Sequence, residues 1–306
     1  MLQLKKEELF KSRSHKATIA AAYTTFTSNY KQMFKHTWPF ALALALVAPA
    51  YMLYGIMHQK DMVSTGYIAT NIALLVVFFV VSLAFYARLS MLVNQQNMKW
   101  NATRWVKTFL WQLLIFIGIV AITGAISALV AMGIMPDDNA ATVNTDPVAA
   151  QVAANEAMLK MIVFAVIITL LLSLLTMPYL PVLMKYVADP TSKIRKLFFK
   201  QYGVYMHYWG YIFITLLITT ICVGLVTFVI ALPMIIIMLA SHISHMGVVN
   251  GDAAGVPAYF PWMAYGVGVL TYFIYIFINV FTFFVIYYIY GSIEAKEKDK
   301  KNSITN

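Results

Sequence analysis

Residues 209–240 read WGYIFITLLITTICVGLVTFVIALPMIIIMLA and contain no Asp, Glu, Lys, Arg or His. A run this apolar exceeds the ~20 residues that carry an α-helix across a bilayer. Working outward, residues 39–57, 67–93, 108–134, 158–184 and 262–291 have the same character. At about 1.5 Å per residue each reaches across a hydrocarbon core of about 30 Å, the first only just. The expected fold is an all-α integral membrane protein whose six transmembrane helices form three hairpins.

Composition agrees. Of 306 residues, 61% are hydrophobic and 11% charged, with a mean hydropathy of +0.74, against about 45–50% and 25% for a soluble domain. Too little polar surface remains to coat a globule in water. A soluble enzyme and a disordered chain are excluded. The single cysteine, Cys222, lies inside an apolar run, so no disulfide staples an ectodomain.

Charge sets the expected orientation. Of 22 Lys and Arg, 20 fall in the amino-terminal arm, the second and fourth connections, and the tail; only Lys60 and Lys160 fall elsewhere. The positive-inside rule places both termini in the cytoplasm, and an even number of spans keeps the alternation. The net charge of +10 is therefore read against a bilayer, and no nucleic-acid partner is expected. The first apolar run begins near residue 39 behind a polar arm, unlike a cleaved signal peptide, so the arm is expected to persist. The organisation reads as a basic amphipathic cytoplasmic arm over 1–36, a membrane domain over 37–292 and a charged cytoplasmic tail over 293–306. The outer connections differ: 58–66 is a short turn, 135–156 ends in an Ala-rich stretch that starts the fourth span early, and 241–261 is a Gly- and Pro-bearing cap.

Each odd-numbered span follows a basic, aromatic stretch. Tyr23, Phe26, Tyr30, Met33, Phe34 and Trp38 share one helical face, as do Ile194, Leu197, Phe198, Tyr205, Met206 and Trp209. Asp189 and Pro190 read as the N-cap and first residue of the latter helix; Met98, Trp105, Val106 and Phe109 make the poorest version. These interfacial helices are expected on the inner surface, with aromatic rings at the acyl boundary and cations at anionic headgroups, each worth about 1 kcal/mol. The expected lipid-interface set is Lys31, Lys35, Trp38, Arg104, Trp105, Lys107, Lys193, Arg195, Lys196, Lys200 and Trp209.

Chemical signatures are sparse. No ionisable side chain falls at mid-depth in any span, Arg88 lying near enough to an end to snorkel, which argues against a carboxylate-driven pump or protease. Uncharged polar residues do occur, and Asn279, Thr219 and Thr220 are the candidate lining of a path for a neutral solute, against the alternative of helix-to-helix bonding. Gly118, Ala121, Gly124, Ala125, Ala128 and Ala131 form a small-residue seam that marks the third span as the central helix. Pro49, Pro178, Pro181 and Pro233 interrupt spans, the pair at 178 and 181 kinking the fourth. His242 and His245 share a helix face and have the spacing of two metal ligands, with His58 or Asp252 as a third, or are plain interfacial histidines. No phosphate loop, nucleophile elbow or dinucleotide fingerprint is present, so neither an enzyme nor a cofactor is expected. Three readings stay open: a non-enzymatic membrane component acting through lipid or protein contacts, a membrane-protein partner or second copy included; a permease or channel for a small uncharged solute; and an intramembrane metal protein or enzyme.

The basic aromatic stretches 30–40 and 199–211, together with the exit Tyr287-Tyr288-Ile289-Tyr290-Gly291-Ser292-Ile293-Glu294-Ala295-Lys296-Glu297, resemble a loose group of bacterial six-helix membrane proteins. That group includes the membrane domain fused to some glycerophosphodiester phosphodiesterases. The resemblance is one of layout along the whole chain; it implies a bacterial inner membrane and lends no catalytic residue.

Overall fold

The computed structural model describes residues 6–57, 64–134, 147–249 and 257–305, and all regular structure among them is helical. Two short helices open the chain, α1 (Lys6–Leu9) and α2 (His15–Ser28). They lead into α3 (Tyr30–Met57), α4 (Thr65–Asn94), α5 (Met98–Ile134) and α6 (Pro147–Thr176). After α7 (Tyr179–Ala188), α8 (Ile194–Lys196), a π-helical turn (Leu197–Gln201) and α9 (Tyr202–His207), the chain ends in α10 (Trp209–Val249) and α11 (Phe260–Thr305). Six of these helices, α3 to α6, α10 and α11, are long and apolar enough to cross a membrane. The chain is an all-α polytopic membrane protein.

Local chemistry places the breaks. Ser14 and Ser64 cap α2 and α4 by accepting from the backbone N–H of Ala17 and Tyr67 at 3.4 and 3.2 Å. Gln95 in the left-handed region, φ 59°, ends α4. Asn97 then opens α5 by accepting from Trp100 N–H at 2.8 Å. Between α6 and α7 the chain breaks at Met177 and Pro178, because a proline ring at 181 has no N–H to offer and crowds the carbonyl four residues back. Pro49 and Pro233 behave differently, each lying inside an unbroken helix; with no water in the hydrocarbon to compete, neighbouring helix bonds hold. The Ala-rich segment does extend the fourth span, since α6 starts at Pro147. The connections 58–63, 135–146 and 250–256 lie outside the described residues.

The spans pack as a row in the order α6, α5, α4, α3, α11, α10. Helix α7 braces α11, α4 and α5, while α2 lies along α11 and α10. The core is concentrated on residues 276–293 of α11, where Phe284, Val285, Ile289 and Ile293 are fully buried. The central helix is thus α11, not the third span. On α5, Ala121, Gly124, Ala125 and Ala128 face outward, and a Cβ built on Gly118 or Gly124 meets nothing within 4 Å. Small residues permit close approach but bury little area, whereas each aromatic ring of α11 buries much more.

The amino-terminal aromatic face packs on α11 only in part: Met33 is buried, whereas Tyr23, Tyr30, Phe34 and Trp38 stay exposed. Phe26, Tyr30 and Phe34 meet Phe281, Phe277 and Phe277 at ring separations of 6.2, 6.2 and 5.1 Å. The face of the second aromatic stretch turns inward more fully, with Leu197, Phe198 and Tyr205 buried, and it is not one helix. Asp189 follows the end of α7 and holds a turn by accepting from Thr191, the new helix starting only at Ile194. Phe198 stacks between Trp111 and Tyr179, 4.2 Å from each, and Tyr179 stacks on Tyr202 at 4.3 Å.

Beyond its apolar part α11 runs on without a break, so the boundary near residue 293 falls inside a helix, as does the one near 36. Glu294 accepts from Lys185 Nζ at 2.7 Å and from Tyr205 OH at 2.8 Å. Tyr208 OH donates to Glu297 at 2.9 Å. Burial first, and then this carboxylate, pushes the Tyr208 phenol up to about 12. The amino-terminal arm docks on the same helix: Arg13 N–H donates to Ser292 Oγ at 3.0 Å, and a Cβ on Gly291 would stand 2.6 Å from the Leu9 carbonyl oxygen. Gly291→Val is expected to lift residues 6–13 off α11 and speed tryptic cleavage after Lys11 and Arg13, while Gly224→Val, whose Cβ meets nothing within 4 Å, leaves cleavage unchanged. Limited proteolysis of the purified protein checks this.

Candidate functional site

The first turns of α5 and the turn between α7 and α8 enclose a groove of about 750 Å³. Lys99, Trp100, Arg104, Lys107, Tyr186, Lys193 and Arg195 line it, and no carboxylate does. Arg104 is its floor. The guanidinium sits between the rings of Trp100 and Tyr186, 4.1 and 4.3 Å from their centroids. It donates to the carbonyls of Asp189, Pro190 and Ser192 at 2.8, 2.6 and 3.2 Å and to that of Tyr186. A residue expected at headgroups is therefore buried and spent on the end of α7, where a cation satisfies carbonyls that the helix leaves open. Burial raises the pKa of the Tyr186 phenol and the guanidinium pulls it back.

Lys99, Lys107, Lys193 and Arg195 are exposed around the rim, and no ion pair joins them to a carboxylate among the described residues. Lys196 and Lys200 are also exposed, beside Phe199, which is 75% accessible. Lys31, Lys35 and Trp38 are exposed on α3. The remaining tryptophans of the expected interface hold helices instead. Trp105 donates to Ser90 Oγ at 2.8 Å and lies 4.9 Å from the Tyr86 ring; Trp209 donates to the Leu174 carbonyl at 3.0 Å and stacks on Phe213. Periodicity found the cations, but not that three separate segments, 99–107, 186 and 192–195, share one groove.

A second, uncharged cavity of about 250 Å³ lies between α4, α5, α7 and α11, lined by Tyr86, Trp105, Thr108, Gln112, Asn279, Thr282 and Phe283 among others. A smaller one of about 170 Å³, bearing Ser173 and Thr176, shares Gln112, Leu180 and Leu183 with it. Thr108 Oγ1 is buried with no hydrogen-bond partner, and Asn279 donates to its own helix at Tyr275 O, 2.9 Å away. Of the expected path, Asn279 alone lines this cavity. Thr219 is buried on α10 and donates to Thr215 O at 2.7 Å, and Thr220 faces outward. Mid-span amides such as Gln112 were the available signal for this cavity.

His242 is exposed on α10; the side chain of His245, and His58 and Asp252, lie outside the described residues. Among the described residues no three His, Cys, Asp or Glu side chains gather into a metal-binding group. Comparison of the chain with protein-family models, curated proteins and solved structures finds no match.

Replacing Arg104 by Met keeps bulk but leaves the α7 carbonyls without their cation. The expected cost is about 3 kcal/mol, the scale for removing one partner from a buried charged network, whereas Lys193→Gln changes stability by less than about 0.5 kcal/mol. Denaturant unfolding in detergent micelles distinguishes the two.

Proposed function

We propose that this protein is a non-enzymatic component of a bacterial inner membrane, with both termini in the cytoplasm, that works by gathering anionic lipid headgroups at its basic end. One observation carries the reading: four exposed cations, Lys99, Lys107, Lys193 and Arg195, ring a groove that no carboxylate lines. The 20 to 2 division of Lys and Arg between alternate connections supports the orientation. The layout shared with six-helix bacterial membrane proteins supports the location.

Near an anionic leaflet each cation contributes about 1 kcal/mol. The variant with Lys99, Lys107, Lys193 and Arg195 all changed to Gln is thus expected to retain phosphatidylglycerol two to three orders of magnitude less tightly, as an upper bound. Lipid carried through purification from mixed phosphatidylglycerol and phosphatidylcholine nanodiscs, counted by mass spectrometry, measures this. Equal retention by wild type and variant defeats the reading. Orientation is tested by placing single cysteines in residues 58–66 and at the carboxyl end of a Cys222→Ala chain, then adding an impermeant thiol reagent to intact cells. Reaction at 58–66 only is expected.

The cavity bearing Gln112, Asn279 and the unpartnered Thr108 hydroxyl favours a second reading, passage of a small uncharged solute. Glycerol-driven volume change of proteoliposomes tests it: a rate equal to that of protein-free liposomes, or one unchanged by Gln112→Leu with Asn279→Leu, removes it.

A further inference from the structure

Helix α2 is held by its inner face and leaves a gap along its flank. Thr18 Oγ1 lies 2.5 Å from Tyr211 OH on α10, and Thr25 Oγ1 lies 2.6 Å from Tyr288 OH on α11. Beside these bonds a groove of about 940 Å³ opens between the three helices. Its walls are apolar, with Ile19 and Phe26 from α2, Ile218, Cys222 and Val226 from α10, and Phe281 from α11. Ser14, His15 and Lys16 line one end, Tyr23 adds a phenol further along α2, and no carboxylate lines the groove. His15 Nδ1 is committed to Thr215 Oγ1 at 2.9 Å. Lys16 is exposed and joined to no carboxylate among the described residues.

We propose that this groove seats one anionic phospholipid, with its phosphate at Lys16 and one acyl chain running along α10 past Cys222. The dimensions match. From Ile218 to Val226 the wall is about 12 Å long at ~1.5 Å per residue, close to the ~15 Å of one leaflet's hydrocarbon. The groove opens sideways from α10, which is apolar enough to cross the membrane, so the medium at its mouth is lipid tails. The lone cation at one end selects an anionic headgroup, and beyond it the walls offer a second headgroup or a polar peptide only the Tyr23 phenol and the Cys222 thiol. The site rests on the reading of the chain as a membrane protein whose basic end meets anionic lipid; it uses none of the cations around the α5 groove.

Cys222 is the chain's one cysteine and is exposed, so it reports on the groove directly. The full-length protein in dodecylmaltoside micelles is titrated with phosphatidylglycerol or phosphatidylcholine, and the rate of Cys222 alkylation by N-ethylmaleimide is followed. Phosphatidylglycerol is expected to protect Cys222 saturably and at lower mole fraction than phosphatidylcholine. Lys16→Gln raises the fraction needed for half protection by roughly fivefold, the worth of one charge near an anionic headgroup. A cysteine at Val229, 63% exposed on the same helix, in a Cys222→Ala chain stays unprotected. Equal protection by the two lipids, no effect of Lys16→Gln, or equal protection at position 229 overturns the proposal; protection that rises with protein concentration in the absence of lipid assigns the groove to a second copy and also overturns it. The variant with the four rim cations of the α5 groove changed to Gln separates the two readings. Loss of its phosphatidylglycerol retention with Cys222 protection intact defeats neither, whereas wild-type retention with no protection at Cys222 defeats this proposal alone.

Discussion

The enclosure of residues 276–293 of α11 is the constraint on which the other elements depend. Two arm helices, two spans and α7 all bury side chains against this segment, and Phe284, Val285, Ile289 and Ile293 have no accessible surface. The remaining long helices behave differently. The most apolar window of α10 is 0% buried and that of α4 6%, so over most of their length they turn side chains outward, as membrane helices do where lipid is as good a solvent as a neighbour. The firm packing lies towards the basic end of the molecule. There, too, polar side chains bond between helices: Lys185 and Tyr205 to Glu294, Tyr208 to Glu297, Thr25 to Tyr288.

The positive charges divide by the same logic. Arg104 is buried because a planar guanidinium can satisfy several carbonyls at once while its faces lie on aromatic rings; a lysine ammonium has neither the fork nor the faces. The lysines around it are exposed and pair with no carboxylate among the described residues. One cluster on the sequence therefore contains both a structural cation and a set of potential ligands for anions. Their separation depends on where the α7 to α8 turn comes to rest.

Most polar residues in the spans serve their own helices. Thr37, Asn71, Thr215 and Asn279 each bond a carbonyl four residues earlier, at Met33, Tyr67, Tyr211 and Tyr275. Others reach across: Thr123 of α5 lies 3.3 Å from Thr169 of α6, Ser90 of α4 accepts from Trp105 of α5, and Thr215 of α10 also meets His15 of α2. Back-bonding leaves little for a transported molecule. Thr108 Oγ1 is buried without a partner, as are Asn71 Oδ1, Ser127 Oγ and Thr227 Oγ1; of these, Thr108 lines the space beside α7.

Hydropathy and run length determined the helical class and the six long apolar helices, because the free energy of placing a helix in lipid sums over its own residues and needs no partner. The break at Pro178 and the early start of α6 at Pro147 were legible for the same local reason. Tertiary structure decided the neighbours. Which of six greasy helices becomes central depends on how ring shapes interlock between segments far apart in sequence, so α11 displaced the small-residue seam of α5, and the face of 197–205 turned to protein while the rings of 23–34 stayed partly exposed. The chain alone could name Arg104 and Lys193 as basic and Asn279 as polar. Only packing could make one cation a cap for α7, leave the other at the edge of a groove, and bring the amide beside Gln112.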